Sequence, residues 1–233
     1  MIIEAHAYDI TIHDDSLNEE GDPQTEIRLW CFDKESNPTL LRVKDFPVFC
    51  KIELPTTIDK YGNIINWNYE SCQDLIKNMK KVLDKKEIEP FKKWSFFRAH
   101  KLYYYNGERK YPFILMVFNT VKQMHIISKV CKFLYTQNYG KVELQYHETE
   151  VDLHNKMFSM RNLGCTERFI CEAREIQNED EERISNPGPS WRPVKEYAVA
   201  WKSFKKLPED SKIWFSYPII CSWDIETYSH NHR

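Results

Sequence analysis

From Pro47 to Tyr146 the spacing of the apolar residues switches back and forth between a strand period and a helix period. That order limits the folds open to the chain more than any other feature. Pro47–Leu54 reads as a strand stopped by Pro55. Ser71–Asp84 puts Cys72, Leu75, Ile76, Met79, Val82 and Leu83 on one helical face. Ser71 is its predicted N-cap, with Asp74 three residues on as the acid of a capping box. Ser95–Tyr105 and Pro112–Phe118 read as strands, and Asn106-Gly107 between them is the strongest short hairpin signal. A second helix is predicted over Thr120–Gln137, buried along Val121, Met124, Ile127, Val130, Cys131 and Leu134 and closed by Gly140. Lys141–Tyr146 reads as the last strand. The resulting order is β-α-β-β-α-β, the split βαβ arrangement of ferredoxin-like and RRM-like folds.

The flanks read differently. Ile2–Ile12, Thr25–Phe32 and Thr39–Val43 are strands, the last two joined by the turn residues Asp33–Pro38. They predict a small β subdomain. After the central unit, Val151–Arg161 reads as a helix with Gly164 at its C′ position. Arg168–Ala173 and Glu196–Phe204 read as strands. Between them lie an acidic run, Gln177–Arg183, and the breaker cluster Asn186–Ser190, taken as a surface loop. The predicted class is α+β, in four segments: a β-rich segment at 1–44, the β-α-β-β-α-β unit at 45–147, a bridging helix-and-strand segment at 148–212, and a last strand region at 213–233.

Composition removes several function classes. Hydrophobic residues make up 42% of the 233 and aromatics 14%, which is globular and leaves ample core. The longest apolar run, Tyr111–Phe118, is far short of the roughly 20 residues of a membrane span. No membrane partner is expected. The N-terminus shows no secretory signal. The seven cysteines include no Cys-x-x-Cys pair, so they are read as reduced, mostly buried thiols of an intracellular protein. A net charge of −2 excludes wholesale wrapping of nucleic acid. It leaves room for a local basic patch in the Lys77–Lys93 cluster, where Lys80 and Lys81 are candidate phosphate contacts; the plain alternative is a solvated helix face.

The central topology also hosts the RNA-recognition module, which stacks bases on aromatics of its middle strands. Tyr103 and Tyr105 share one strand face, as do Phe113 and Leu115 on the next, so Tyr103 and Tyr105 are candidate base-stacking residues. The module's basic-Gly-aromatic-Gly-aromatic signature is missing from Lys110–Phe113. A stand-alone single-stranded nucleic-acid-binding module is therefore the alternative reading, beside ordinary sheet packing.

Near the far end, Tyr217–Tyr228 reads as a strand. Cys221, Trp223 and Ile225 fall on one face, and Ser222, Asp224 and Glu226 on the other. Two neighbouring carboxylates at the end of an apolar strand are what Mg²⁺, a hard cation with oxygen ligands, requires. Spacing alone is weak, since 35 acids in 233 residues give on the order of five acid-x-acid pairs by chance. Asp224 and Glu226 are the candidate metal and catalytic residues because of their setting: Asp-Ile-Glu-Thr closing an apolar strand, with Tyr228 after it.

That setting, Ile220-Cys221-Ser222-Trp223-Asp224-Ile225-Glu226-Thr227-Tyr228, resembles the first exonuclease motif of family-B DNA polymerases. Upstream, Tyr146–Leu153, Met157-Phe158 and Arg161–Cys165 are similar to the family's acidic helix and the turn that follows it. The resemblance implies an N-terminal domain lying beside the template strand, followed by the first strand of an RNase H-like 3′–5′ proofreading exonuclease. It implies Mg²⁺ held by Asp224 and Glu226, and a DNA template-primer and a processivity factor as partners. The remaining exonuclease carboxylates and the polymerase palm motifs are absent from these residues. The chain thus looks like the N-terminal part of a longer polymerase, inactive by itself and acting as a template-side scaffold in DNA replication. Richness in Lys, Asn, Ile and Tyr suits an AT-rich genome such as that of a large DNA virus, with the host nucleus or a cytoplasmic virus factory as the compartment.

Overall fold

A computed structural model describes residues 1–18, 20–56, 64–100, 109–177 and 194–208. The chain opens with a meander of three antiparallel strands, β1 (Ile2–Leu17), β2 (Pro23–Asp33) and β3 (Pro38–Val43). The turn between β2 and β3 is held by Asp33, whose Oδ1 accepts the N–H groups of Glu35 (3.0 Å) and Asn37 (2.7 Å). This is the side-chain mimicry that makes Asp a turn residue.

The meander's two outer edges are covered by strands from far along the chain. β10 (Arg168–Ile176) pairs antiparallel with β1, placing Ile3 opposite Cys171. β11 (Lys195–Val199) runs parallel to β3 and antiparallel to β10. The order β1-β2-β3-β11-β10 therefore returns to β1 and forms a closed ring, with the short β12 (Lys205–Lys206) also on β10. Closure removes the edges that a three-stranded meander would expose. The strand expected over Glu196–Phe204 stops at Val199 and gives way to a 3₁₀ turn, Trp201–Ser203.

The second sheet holds β4 (Val48–Glu53), β5 (Lys93–Ala99), β6 (Tyr111–Phe118) and β9 (Gln145–His147). Its order is β5-β6-β4-β9, with every pairing antiparallel. Helices α1 (Tyr69–Asp84) and α2 (Val121–Val130) pack on one face. Cys50, Ile52, Ile114 and Met116 from the strands meet Leu75, Met79 and Ile127 from the helices in a fully buried layer. Helix α3 (Leu153–Met160) lies on the opposite face, where Lys156 Nζ donates to the Phe49 carbonyl (2.8 Å). Its far side reaches the ring: Phe158 packs on Phe169 and Phe204, with centroids 6.1 and 6.3 Å away. The two sheets thus share one hydrophobic core.

Four local expectations are corrected. The N-cap of α1 is Asn68, not Ser71: Asn68 Oδ1 accepts the Ser71 N–H (2.8 Å) and Ser71 Oγ accepts the Asn68 N–H (2.9 Å). Ser71 is thus the return arm of the capping box. Asp74 has another task, accepting the Gln137 N–H (2.8 Å) and so tying a distant turn to the helix. The second helix ends at Val130, and β7 (Phe133–Thr136) and β8 (Gly140–Glu143) form a hairpin beyond it. Leu134 is buried in both readings; its spacing fits the helix stripe, but Phe133 and Tyr135 beside it alternate outward as in a strand. The single strand expected over Lys141–Tyr146 is split at Leu144, since β8 pairs with β7 and β9 with β4. Finally, α3 ends in a left-handed Asn162 (φ +54°), not at Gly164. The Leu163 N–H reaches the Phe158 carbonyl (2.9 Å) and the Asn162 N–H that of Ser159 (3.1 Å), the two bonds of a Schellman cap.

Candidate nucleic-acid interface

Asp224, Glu226, Tyr103 and Tyr105 lie outside the described residues. Lys80 and Lys81 lie within them, on the exposed flank of α1. There they line a groove of about 720 Å³ between α1 and β5, together with Tyr69, Gln73, Lys77 and Trp94. Helical spacing produces this stripe. Positions 69, 73, 77, 80, 81 and 84 fall on one side, next to the stripe that buries Cys72, Leu75, Ile76 and Met79. Lys80 Nζ sits 5.7 Å from the centre of the Phe91 ring. Phe91 is buried, so this lysine crosses an apolar surface to reach solvent.

The groove's other wall is aromatic. Tyr69, the first residue of α1, is 58% exposed and stacks on Trp94, with ring centroids 5.3 Å apart and planes 20° from parallel. Neither residue stood out in the sequence. Alternation along β5 places Trp94, Phe96 and Arg98 on one face, and Arg98 Nη2 donates to the Trp67 carbonyl (3.0 Å) on the α1 side. The strand expected over Ser95–Tyr105 starts two residues earlier, at Lys93, which brings Trp94 into it and onto the helix side.

On the other face of this sheet Phe113 stacks on Phe97 (5.6 Å, 22°) and meets His147 edge-on (6.1 Å). Phe113 is only 6% exposed, so its ring is largely used in packing. Lys51 pairs with Glu148 (2.6 Å), and His147 Nε2 lies 3.0 Å from Glu53. Burial lowers the pKa of Lys156, while the neighbouring Glu148 opposes that shift.

The ring has its own buried charges. Glu26 receives Arg42 Nε (2.8 Å) and Nη2 (2.9 Å), Arg28 Nε (2.7 Å) and Ser16 Oγ (2.6 Å). Burial alone would raise its pKa, but the hydrogen bonds from Arg42, Ser16 and Arg28 outweigh it and hold the carboxyl at about 2. Arg42 Nη1 also lies 3.5 Å from Glu196, which is fully buried. Burial pushes the thiols of Cys50, Cys72 and Cys171 up to about 12 and that of Cys131 to about 11, which suits packing rather than nucleophilic chemistry. Among the described residues no three His, Cys, Asp or Glu side chains are placed to hold a metal ion. No described helix is long and apolar enough to cross a membrane.

The fold has a solved counterpart. It is similar to the family B DNA polymerase from the hyperthermophilic archaeon Pyrobaculum calidifontis, with a TM-score of 0.55 at 12% identity. The likeness covers 88% of this chain and 20% of that one, so the chain spans about a fifth of the polymerase's length. At that identity the likeness is one of fold. No protein-family model and no curated protein matches the chain.

Proposed function

We propose that this chain is the N-terminal region of a DNA-directed DNA polymerase of the family-B type, bracing the template side of the enzyme. The observation that carries the reading is the fold likeness over 88% of the chain to a family B DNA polymerase. The Asp-Ile-Glu sequence at 224–226 supports it independently. The order β5-β6-β4-β9, with α1 and α2 on one face, supports a split βαβ unit within this region.

In this reading Asp224 and Glu226 begin a 3′–5′ exonuclease site. Two carboxylates are a hard-oxygen donor set that fits Mg²⁺, and when bound the ion supplies charge stabilisation to the oxygens of a phosphodiester. Asp224 and Glu226 would orient that ion at the 3′ end of a frayed primer. The proposed segments remain 1–44, 45–147, 148–212 and 213–233, with template-primer DNA as the partner and a processivity factor acting elsewhere on the enzyme.

The test is to express the polypeptide encoded by the whole open reading frame and compare it with its Asp224→Ala and Glu226→Ala variants. Primer degradation should collapse in both while primer extension persists. Undiminished degradation refutes the assignment of these two carboxylates, and absence of any template-directed extension refutes the polymerase reading.

A further inference from the structure

We propose that the groove between α1 and β5 binds single-stranded DNA, with the Tyr69–Trp94 stack as a platform for an unpaired base and Lys77, Lys80 and Lys81 as contacts to the phosphates. The inference rests on the template-side role proposed above and gives that role a location. Its first support is the exposed aromatic. Tyr69 is 58% exposed at the start of a helix already capped by Asn68 and Ser71, so fold stability does not demand a large ring there. Stacked 5.3 Å from Trp94 and nearly parallel to it, the ring lines the groove and keeps more than half of its surface exposed. Every base has such a face, so stacking of this kind holds a single strand without reading its sequence.

The second support is charge complementarity. Three lysines, Lys77, Lys80 and Lys81, line the groove against one acid, Asp84, in a chain whose net charge is −2. Positive charge is therefore concentrated here against the overall balance. Lys77 and Lys81 stand one helical turn apart, about 6 Å along the axis, which suits neighbouring phosphates of an extended strand. Asp84 is the acid that closes the groove at its far end.

The third support is shape. The groove follows α1 from Tyr69 to Asp84 and meets β5 at Trp94; β5 ends the order β5-β6-β4-β9, so among the described strands none pairs with its outer edge. Tyr69 and Asp84, at opposite ends of α1, both line it, so it follows the helix for about 22 Å and suits an extended strand laid along it. Duplex DNA keeps its bases stacked on one another and could use only the lysines.

The experiment is a fluorescence-anisotropy titration of the 233-residue chain with a labelled oligo-dT of about 16 nucleotides, the upper end of single-strand site sizes. Tyr69→Ala should weaken binding about 5- to 150-fold, and Tyr69→Phe should stay within about 2-fold because the ring face is kept. The surface pair Lys80→Ala/Lys81→Ala should reduce the slope of log affinity against log salt by about 1.4. If the wild type binds oligo-dT and all these variants bind equally well, the groove assignment falls while the template-side reading stands. Tighter binding of the matching duplex, of oligo-rU or of polyglutamate also overturns the assignment. So does failure of the wild type to bind oligo-dT at about 50 mM salt; the polymerase reading is then decided by the extension and degradation assays alone.

Discussion

The carboxylate of Asp14, on the first strand, accepts the backbone N–H of Lys122, at the start of α2, over 2.7 Å. Its Oδ1 also accepts the N–H of Val121 (3.1 Å) and the hydroxyl of Thr25. Thr120 Oγ1 accepts the next amide, that of Gln123 (3.0 Å). Three N–H groups that a helix start leaves open are thus satisfied, two of them by a side chain from the other sheet. Asp14→Ala should destabilise the protein by about 1–2 kcal/mol, the range of a lost N-cap with its helix-dipole contribution. Asp14→Asn should cost less, because an acceptor oxygen remains. Urea unfolding measures both, and an unchanged midpoint for Asp14→Ala would show that the contact contributes nothing.

Arg42 and Glu26 form a two-pronged pair in which Arg42 is 5% exposed and Glu26 not at all. Removing one partner leaves the other charge buried. Arg42→Ala should therefore cost about 3–5 kcal/mol. The double variant Glu26→Gln/Arg42→Met should recover part of that loss, the part due to the Glu26 charge, while Glu196 loses Arg42 in both variants. Chemical denaturation of the three proteins distinguishes this from a simple loss of packing, in which the double variant would be no better than the single.

The same carboxylate predicts a pH response. Glu26 is held at about 2 in the folded chain, against about 4.3 for an ordinary glutamate. The stability it contributes is complete above about 4.3 and declines as pH falls toward 2, because the unfolded chain takes up the proton first. Glu26→Gln has no proton to take up at this position. The stability gap between wild type and Glu26→Gln should narrow from about pH 5 down to about pH 2.5, whereas a constant gap would mean that Glu26 is not held ionised by Arg42, Ser16 and Arg28.

The start of α1 offers a fourth comparison. Asn68→Ala and Ser71→Ala each break one arm of the capping box and should each cost about 0.5–2 kcal/mol. Asp74→Ala should leave the cap intact and act on the β7–β8 turn through the lost Gln137 amide bond. Hydrogen exchange separates the two cases: the cap variants should speed exchange in the first turn of α1, and Asp74→Ala should do so at Gln137.

Much of the fold was legible because local rules operate over a few residues. Alternation marked β2, apolar strand segments bounded by turn residues marked β3, β4 and β6, and the apolar stripe of α1 was visible in full, whereas β1 runs on to Leu17 beyond the expected Ile12. Those rules also set the limits of the reading. Ser71 and Asn68 both suit a helix start, and only the backbone geometry decides that Asn68 is the cap. Gly164 is the residue a C′ position usually takes, yet Asn162 takes it, because the Schellman bonds from Asn162 and Leu163 close there. Leu134 satisfied two periods at once, and pairing of β7 with β8 selected the strand.

For the candidate sites, sequence supplied Lys80 and Lys81 as exposed charges but not the wall opposite them, because Tyr69 and Trp94 are brought together only when α1 packs along β5. Asp224, Glu226, Tyr103 and Tyr105 rest on sequence alone. The amino-acid order by itself determined most strand and helix segments, the β7–β8 hairpin and the turn at Trp201 excepted, and the basic stretch on α1, since periodicity, turn chemistry and charge are properties of neighbouring residues. Tertiary structure decided the closure of the ring by β10 and β11, the capping of α2 by Asp14 and the pairing of Tyr69 with Trp94. Each of these joins groups far apart in the chain, and their meeting depends on which edges, helix ends and aromatic faces the rest of the fold has left open.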